Sequence, residues 1–300
     1  MEYSSLPDLK GLAALRAIVE LGGVEQAGRH LHIGQPAITK RLRSLDECYG
    51  VALMQRSGRK LRLTPAGKKV YEYARLTLDH QAALVEDLQS LHMGRNHLRL
   101  EVTFAIGEQF LPSLLMNFSD QYPQYRIHSR MGYSRRIQTR LATGLLDLAL
   151  LELAPDHPDI LVQKWFDDEL ILVCAPNHAL STQAHIALGE LSSQEYVLRE
   201  PKSSMRIILD RELADIGVGK LPTSLEVGST ETIIEILARG RQLSFLPRFA
   251  VADALASGQL QHIKVDGLRL KMTLWIARNL SSINSPVAEA FIQLLRNNTL

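Results

Sequence analysis

The stretch VEQAGRHLHIGQPAITKRLRSLDECYGVALMQRSGRKLRLT, residues 24–64, decides how this chain is read. Val24, Ala27 and Leu31 fall at helical spacing, and His32-Ile33-Gly34 breaks the run before a second helix opens at Gln35. In that second helix Ile38, Leu42 and Leu45 stand at i, i+4 and i+7 and make one buried stripe. Pro36, Lys40 and Arg43 project from the opposite face, with Gln35, Ala37 and Thr39 around the leading end. Pro36 suits the first turn, where its missing N–H is not needed. A DNA major groove admits one α-helix, and the leading residues of such a helix read base edges. Gln35, Thr39 and Lys40 carry the donors and acceptors for that task.

After this helix, Arg56, Arg59, Lys60 and Arg62 surround the Ser57-Gly58 turn between Val51–Leu53 and Leu61–Leu63, which predicts a two-stranded wing with cations for phosphate. From Arg29 to Lys69 the chain carries ten Lys or Arg against Asp46 and Glu47, whereas residues 96–300 carry twenty basic and twenty-two acidic residues. The overall formal charge is only +2, so the concentration of charge carries the argument. A solvated basic face on an ordinary helical domain is the competing reading. Helix spacing, turn and wing together weigh against it.

These residues resemble the LysR-type transcriptional regulators. The resemblance spans essentially the whole chain and rests on Leu12-x-x-Leu15-x-x-Ile18-Val19-Glu20, Ala27-Gly28-x-x-Leu31, Gln35-Pro36-Ala37-Ile38-Thr39, Leu42-x-x-Leu45, Arg56-x-x-Arg59 and Leu63-Thr64-Pro65-Ala66-Gly67, all in the family's order and spacing. Gly34 stands where the family usually places a serine cap, and Gly28 where it usually has alanine. Glycine caps a helix only a few tenths of a kcal/mol less well than serine, so the first departure leaves the fold expectation intact.

The expected architecture is an N-terminal all-α winged helix-turn-helix with a long linker helix, followed by a two-lobed α/β periplasmic-binding-protein-like effector domain. Leu9–Leu21 supplies a helix behind the two DNA-binding helices. Thr64-Pro65 marks a helix start, and Val70, Ala74, Leu78, Val85, Leu88 and Leu91 continue it to about Leu91 or His92, an arm of ~40 Å. In the resembled family this helix pairs with its copy in a second subunit, implying a homodimer, or a homotetramer built as a dimer of dimers. Packing against the chain's own effector domain is the alternative.

Gly94-Arg95-Asn96 is the polar break before the third part. Beyond it, Leu98–Ala105, Phe110–Gln121, Arg126–Met131, Arg135–Thr143 and Leu145–Leu151 alternate as strand and helix. A second set runs Glu169–Ala175, Tyr196–Arg199, Met205–Ile216, Ser224–Val227, Thr230–Ala238 and Leu243–Leu246, before Lys271–Ala277 and Pro286–Leu295 return to the first. Such alternation argues largely parallel sheets. The domains expected are residues 1–64, 65–94 and 95–300. In the last, lobe I takes about 95–165 and 268–300 and lobe II about 166–267, with crossings near Lys164–Asp167 and Asp266–Lys271.

The resemblance puts a ligand cleft between the lobes, and helix N-termini there are natural anion sites. Three loops are candidates: Thr103–Glu108 with Thr103, Ile106 and Gly107; Arg199-Glu200-Pro201-Lys202-Ser203-Ser204; and Gly228-Ser229-Thr230-Glu231. Arg199, Lys202, Ser203, Ser204, Ser229 and Thr230 offer charge or hydroxyls to a small anionic effector. Plain helix capping explains any one of these alone. Arg199-Glu200-Pro201-x-Ser203 looks like a stretch found in carbon-fixation and sulfur-related members, but Lys202, Ser204 and Met205 replace its two glycines and threonine. Glu108 at the cleft's edge opposes an anion unless it points away.

Other classes find little support. There is no Gly-x-Ser-x-Gly elbow, phosphate-cradling glycine loop or metal spacing, so neither an enzyme, a cofactor nor a metal site is expected. Cys48 and Cys174 read as two small buried hydrophobes in different domains. The longest run without formal charge, Leu170–Gly189, contains Pro176, Asn177, His178, Gln183 and His185, which argues against a membrane span. The leading residues show no secretory signal pattern, which places the protein in the cytoplasm. A non-specific architectural DNA binder remains the serious rival, since phosphate contacts alone would use the same cations.

Overall fold

The computed structural model describes residues 6–57, 60–91, 96–183 and 185–297. The chain divides into two compact units, Met1–His92 and Met93–Leu300.

In the first unit Asp8 opens α1 (Leu9–Leu21), its Oδ1 accepting from the Gly11 N–H at 2.7 Å. Gly22 closes that helix in the left-handed region, φ 81°. Next, α2 (Val24–His30) runs through a turn at His32, φ 55°, into α3 (Gln35–Tyr49). The turn is tight because residue 28 lacks a side chain: a Cβ there would stand 2.8 Å from the Ile33 carbonyl oxygen. Leu12, Leu15, Leu45, Leu53 and Ala74 form one apolar cluster, and Ala14, Ala17, Ile18, Ala27 and Ile38 another, so the Ile38–Leu42–Leu45 stripe faces inward as its period dictates.

The wing pairs β1 (Met54–Ser57) with β2 (Lys60–Leu63) in antiparallel fashion. Its first strand begins later than the expected Val51–Leu53. Leu53 is instead drawn into the core, fully buried, with its N–H donated to Asp46 Oδ1 at 2.9 Å. Thr64 then starts α4 (Pro65–Leu91): its Oγ1 accepts from the Gly67 N–H at 3.0 Å and donates to the Ala52 carbonyl at 2.8 Å. A Cβ at Gly67 would lie 1.9 Å from the Leu53 oxygen, so helix and wing root approach as only glycine permits. The leading half of α4 packs on α1 through Ala74 and an Arg16–Asp79 ion pair of 2.9 Å. Further along, Leu84, Val85 and Leu88 are exposed, as are Tyr73 and Leu76.

The second unit opens with β3 (His97–Val102), α5 (Phe104–Gln109), α6 (Leu111–Gln121), β4 (Arg126–Met131), α7 (Ser134–Ala142) and β5 (Leu148–Leu151). It continues through β6 (Ile160–Cys174), β7 (His185–Ile186), β8 (Tyr196–Arg199), α8 (Ser204–Asp215), β9 (Thr223–Val227) and α9 (Thr230–Arg239). The closing elements are β10 (Ser244–Pro247), α10 (Arg248–Ala256), β11 (Gln261–Val265), β12 (Leu270–Asn279) and α11 (Pro286–Asn297). One sheet runs β4-β3-β5-β12-β6-β11-β7 with β10 also on β6, and β8-β9 form a small separate pair.

Largely parallel sheets are not what forms. β3/β4, β3/β5, β8/β9 and β11/β7 are parallel, but β5/β12, β12/β6, β6/β10 and β6/β11 are antiparallel. The cause is the pair of crossings. β6 and β12 lie side by side along ten paired residues, broken by one irregularity at Leu274/Trp275, and so carry the chain out and back in opposite directions. The polar Asp167-Asp168-Glu169 run reads as a linker in sequence but stays within β6, opposite Thr273, Met272 and Lys271. Leu98–Ala105 also divides: β3 ends at Val102, and Thr103 precedes the short α5 without a side-chain capping bond. α10 and β11 carry no counterpart in the expected list.

Candidate functional site

On the first unit, Gln35, Pro36, Thr39, Lys40 and Arg43 line one open concavity along α3. All five are exposed because Ile38 and Leu45 anchor the opposite face. Ala37 is exposed but does not line it. Thr39 Oγ1 rests on the Gln35 carbonyl at 3.1 Å, an internal bond that a competing acceptor can replace. Among the described residues Lys40, Arg43, Arg56 and Arg62 enter no ion pair, so the field of this face is uncompensated. The wing is less uniform than its sequence suggests. Arg56 sits opposite Leu61 and Arg62 opposite Gln55, so the two arginines occupy opposite faces of the ribbon. Arg59 and the Lys60 side chain lie outside what the structure describes.

On the second unit, Thr103, Arg199, Ser203 and Ser204 converge on one pocket together with Phe104, Tyr133 and Glu152, which the sequence reading passed over. Thr103 and Glu152 follow the carboxyl ends of the parallel strands β3 and β5, where open α/β sheets place their ligands. Arg199 ends β8, and Ser203-Ser204 begin α8. The space is about 10 Å³, room for roughly one water.

Arg199 is buried and already engaged. It holds Glu200 through Nε and Nη2, both at 3.0 Å, donates from Nη1 to Thr230 Oγ1 at 3.2 Å, and lies 5.5 Å over the Phe104 ring. Although burial opposes it, the Arg199 bonds hold the Glu200 carboxyl below the usual range, helped by the Tyr133 hydroxyl. Arg206 on α8 steadies the arrangement, donating to the Arg199 carbonyl at 2.9 Å. Glu152 is the opposite case: burial raises its carboxyl above the ordinary range, and the nearby hydroxyls of Thr103 and Ser204 and the Arg199 charge only oppose that rise.

The other candidates go elsewhere. Glu108 turns its carboxylate to the start of α9, accepting the Thr230 N–H at 3.0 Å, so that helix N-terminus carries a built-in anion. Ser229 caps the same helix, its Oγ accepting from the Thr232 N–H at 3.3 Å. Thr230 is buried as a partner of Arg199 rather than lining the space. Ile106 is a core side chain, 0% exposed, and Gly107 is pressed against Met131, whose Sδ would be 2.4 Å from a Cβ there. Lys202 is exposed and does not line the pocket. The signal that would have found Glu152 is an acid placed directly after the all-buried Leu148–Leu151 strand.

Among the described residues no group of three or more His, Cys, Asp or Glu is placed to hold a metal ion, and no helix is long and apolar enough to cross a membrane. Neither Cys48, which is half-buried, nor the buried Cys174 is in a disulfide, and burial pushes the Cys174 thiol up to about 11.

Residues 9–68 match the family model described as bacterial regulatory helix-turn-helix protein, lysR family, and residues 92–299 match the LysR substrate binding domain. The chain is 29% identical over 282 residues to the HTH-type transcriptional activator CmpR of Synechocystis sp., covering 93% of this chain and 91% of that one. It is 25% identical over 289 residues to the HTH-type transcriptional regulator CysL of Bacillus subtilis, covering 94% of each. Among solved structures, full-length CbnR complexed with its target DNA aligns over 97% of this chain and 100% of its own, with a TM-score of 0.65 at 19% identity. The regulatory domain of Synechocystis PCC6803 CcmR in complex with 2-PG covers 67% of this chain and 96% of its own, with a TM-score of 0.61 at 23% identity.

Proposed function

The chain belongs to the LysR family of bacterial transcriptional regulators, and from that premise we propose that it reads operator DNA through residues 35–43 under the control of a small effector held in the Met93–Leu300 unit. The observation that carries the reading is the exposed, unpaired face of α3, on which Gln35, Thr39, Lys40 and Arg43 stand together. Gln35, Thr39 and Lys40 approach base edges, while Pro36 and Ala37 let the helix seat closely. Arg43, Arg56, Arg59, Lys60 and Arg62 meet phosphate. The working division is a DNA-binding domain at 1–64, a linker helix at 65–94 and an effector domain at 95–300. Exposed Leu84, Val85 and Leu88 on α4 support pairing with a second copy, giving a homodimer or a dimer of dimers in the cytoplasm.

Thr103, Arg199, Ser203 and Ser204 form the core of the effector site, and Thr230 positions Arg199. Ile106, Gly107 and Ser229 serve the fold around it. Binding of the acid group of an effector would part the walls of the pocket and alter how two DNA-binding heads are presented.

The test is binding of the full-length chain to the intergenic DNA beside its own gene against a scrambled fragment across a salt series. Preference of about 10³-fold or more at physiological salt is expected. Equal affinities with one common salt slope would instead favour the non-specific architectural reading.

A further inference from the structure

The effector pocket holds two buried polar atoms that its own protein does not use. Glu152 is 3% exposed and Ser204 4%, and neither Glu152 Oε2 nor Ser204 Oγ has a partner of good hydrogen-bond geometry, although the Ser204 hydroxyl stands near enough to oppose the rise of the Glu152 carboxyl. Both residues line the same small space, at the start of the twelve-residue α8, where the Ser203 side chain makes no capping bond to the first-turn N–H groups. The pocket therefore offers donors, the α8 N–H groups and the Ser204 hydroxyl, beside a carboxyl whose Oε2 is unmet. Its cation is spent, because the Arg199 fork is closed on Glu200 and Thr230. The neighbouring helix start on α9 is filled by Glu108.

A plain anion satisfies only half of such a site. It would accept from α8 and Ser204 but bring its own charge and no donor to the ionised Glu152 carboxylate, and buried polar groups left unpaired discriminate strongly between ligands. We propose that Glu152 is a specificity-determining residue, and that the pocket takes a small organic acid bearing a hydroxyl or amino group beside its acidic group. The acid oxygens accept from the α8 N-terminus and Ser204, and the hydroxyl or amine donates to Glu152 Oε2. Any such acid is larger than the present space of about 10 Å³, so its admission separates the β3/β5 side of the pocket from the β8/α8 side. This inference rests on the effector reading above and narrows it from an anion to an anion with a donor.

Acetate, glycolate, glycine and inorganic phosphate, titrated separately into the full-length protein at constant ionic strength by calorimetry, test it. Glycolate or glycine should bind at least about tenfold more tightly than acetate and phosphate, the minimum expected from one satisfied buried group. Glu152→Ala should erase that preference for both. Glu152→Gln, which keeps the shape and one acceptor, should erase it for glycine and retain part of it for glycolate. Ser204→Ala should weaken all acids alike and leave the ratio unchanged. Equal binding of acetate and glycolate, or a preference that neither Glu152 substitution alters, overturns the role of Glu152 while an acid-binding cleft survives. Binding of none of the four overturns this inference together with the effector reading.

Discussion

Lys40 and Arg43 on α3 stand exposed without an ion-pair partner among the described residues, whereas Arg199 in the second unit is buried and gripped by Glu200 and Thr230. The same residue chemistry is thus set up for opposite purposes. An uncompensated surface cation suits a polyanion that brings its own charge and displaces counterions, so its interactions weaken as salt rises. A compensated buried cation fixes geometry and leaves recognition to hydrogen bonds, which are insensitive to salt but intolerant of an unpaired atom. Helix starts divide in the same way. α9 has its anion built in through Glu108, while α8 keeps its first turn available in the pocket.

The largest effect that would sharpen this contrast is expected from Gly67→Ala. Its Cβ would fall 1.9 Å from the Leu53 oxygen, so the DNA-binding unit should lose about 3 kcal/mol or more. Operator binding should fail while ligand binding by the second unit persists, which circular dichroism melts and calorimetry on one preparation would show. Arg199→Met leaves Glu200 without its partner and should lower the stability of the second unit by about 3 kcal/mol, with no change in the salt slope of DNA binding. A changed slope would mean the two cation sets are not separate.

Lys40→Ala should cost about 1–3 kcal/mol on operator DNA and relax preference at one base pair, read by anisotropy on single-substitution operators. Equal losses on operator and random DNA would reassign Lys40 to phosphate. Glu152→Gln should give an effect of similar size in the other direction. Burial raises the Glu152 carboxyl above its unfolded value, so the folded state binds more protons than the unfolded one and its stability falls as pH rises through that interval. The variant should therefore melt higher than the parent at neutral pH, by about 1–3 kcal/mol, and lose that advantage as pH falls toward the ordinary carboxylate range. Smallest is Gly34→Ser. Residue 34 is extended, φ −66° and ψ 153°, with no atom nearer than 3.6 Å to a Cβ, so a serine cap should add a few tenths of a kcal/mol to α3 and barely move DNA affinity.

The exposed face of α3 was legible because it is a local object. Gln35 to Arg43 lie within one helix, and a 3.6-residue period assigns each to a face before any tertiary contact is known. The helix starts at Gln35 and Pro65 followed from first-turn prolines, and Leu9–Leu21 from its apolar spacing, for the same reason. The wing was less legible: its basic residues were evident, but strand register placed Arg56 and Arg62 on opposite faces. In the second unit, the strand-helix alternation announced an α/β fold. Its antiparallel centre was hidden, since Lys164, Asp167 and Lys271 read as linker residues and only the pairing of β6 with β12 draws them into one ribbon, with 266–269 left outside it.

What the sequence by itself determined, then, is whatever short-range periodicity and charge placement specify: the helix-turn-helix, its exposed basic face, the long α4 and the family to which the chain belongs. Only the tertiary structure decided the pocket. Thr103, Glu152 and the Arg199–Ser204 loop come from three separate segments, and the partner each side chain takes depends on which neighbour arrives. Glu108 became a helix cap and Arg199 a closed fork because α9 and Glu200 reached them, leaving Glu152 and Ser204 as the polar groups still unmet. Buried polar groups must find a partner in space, and sequence order does not say which one.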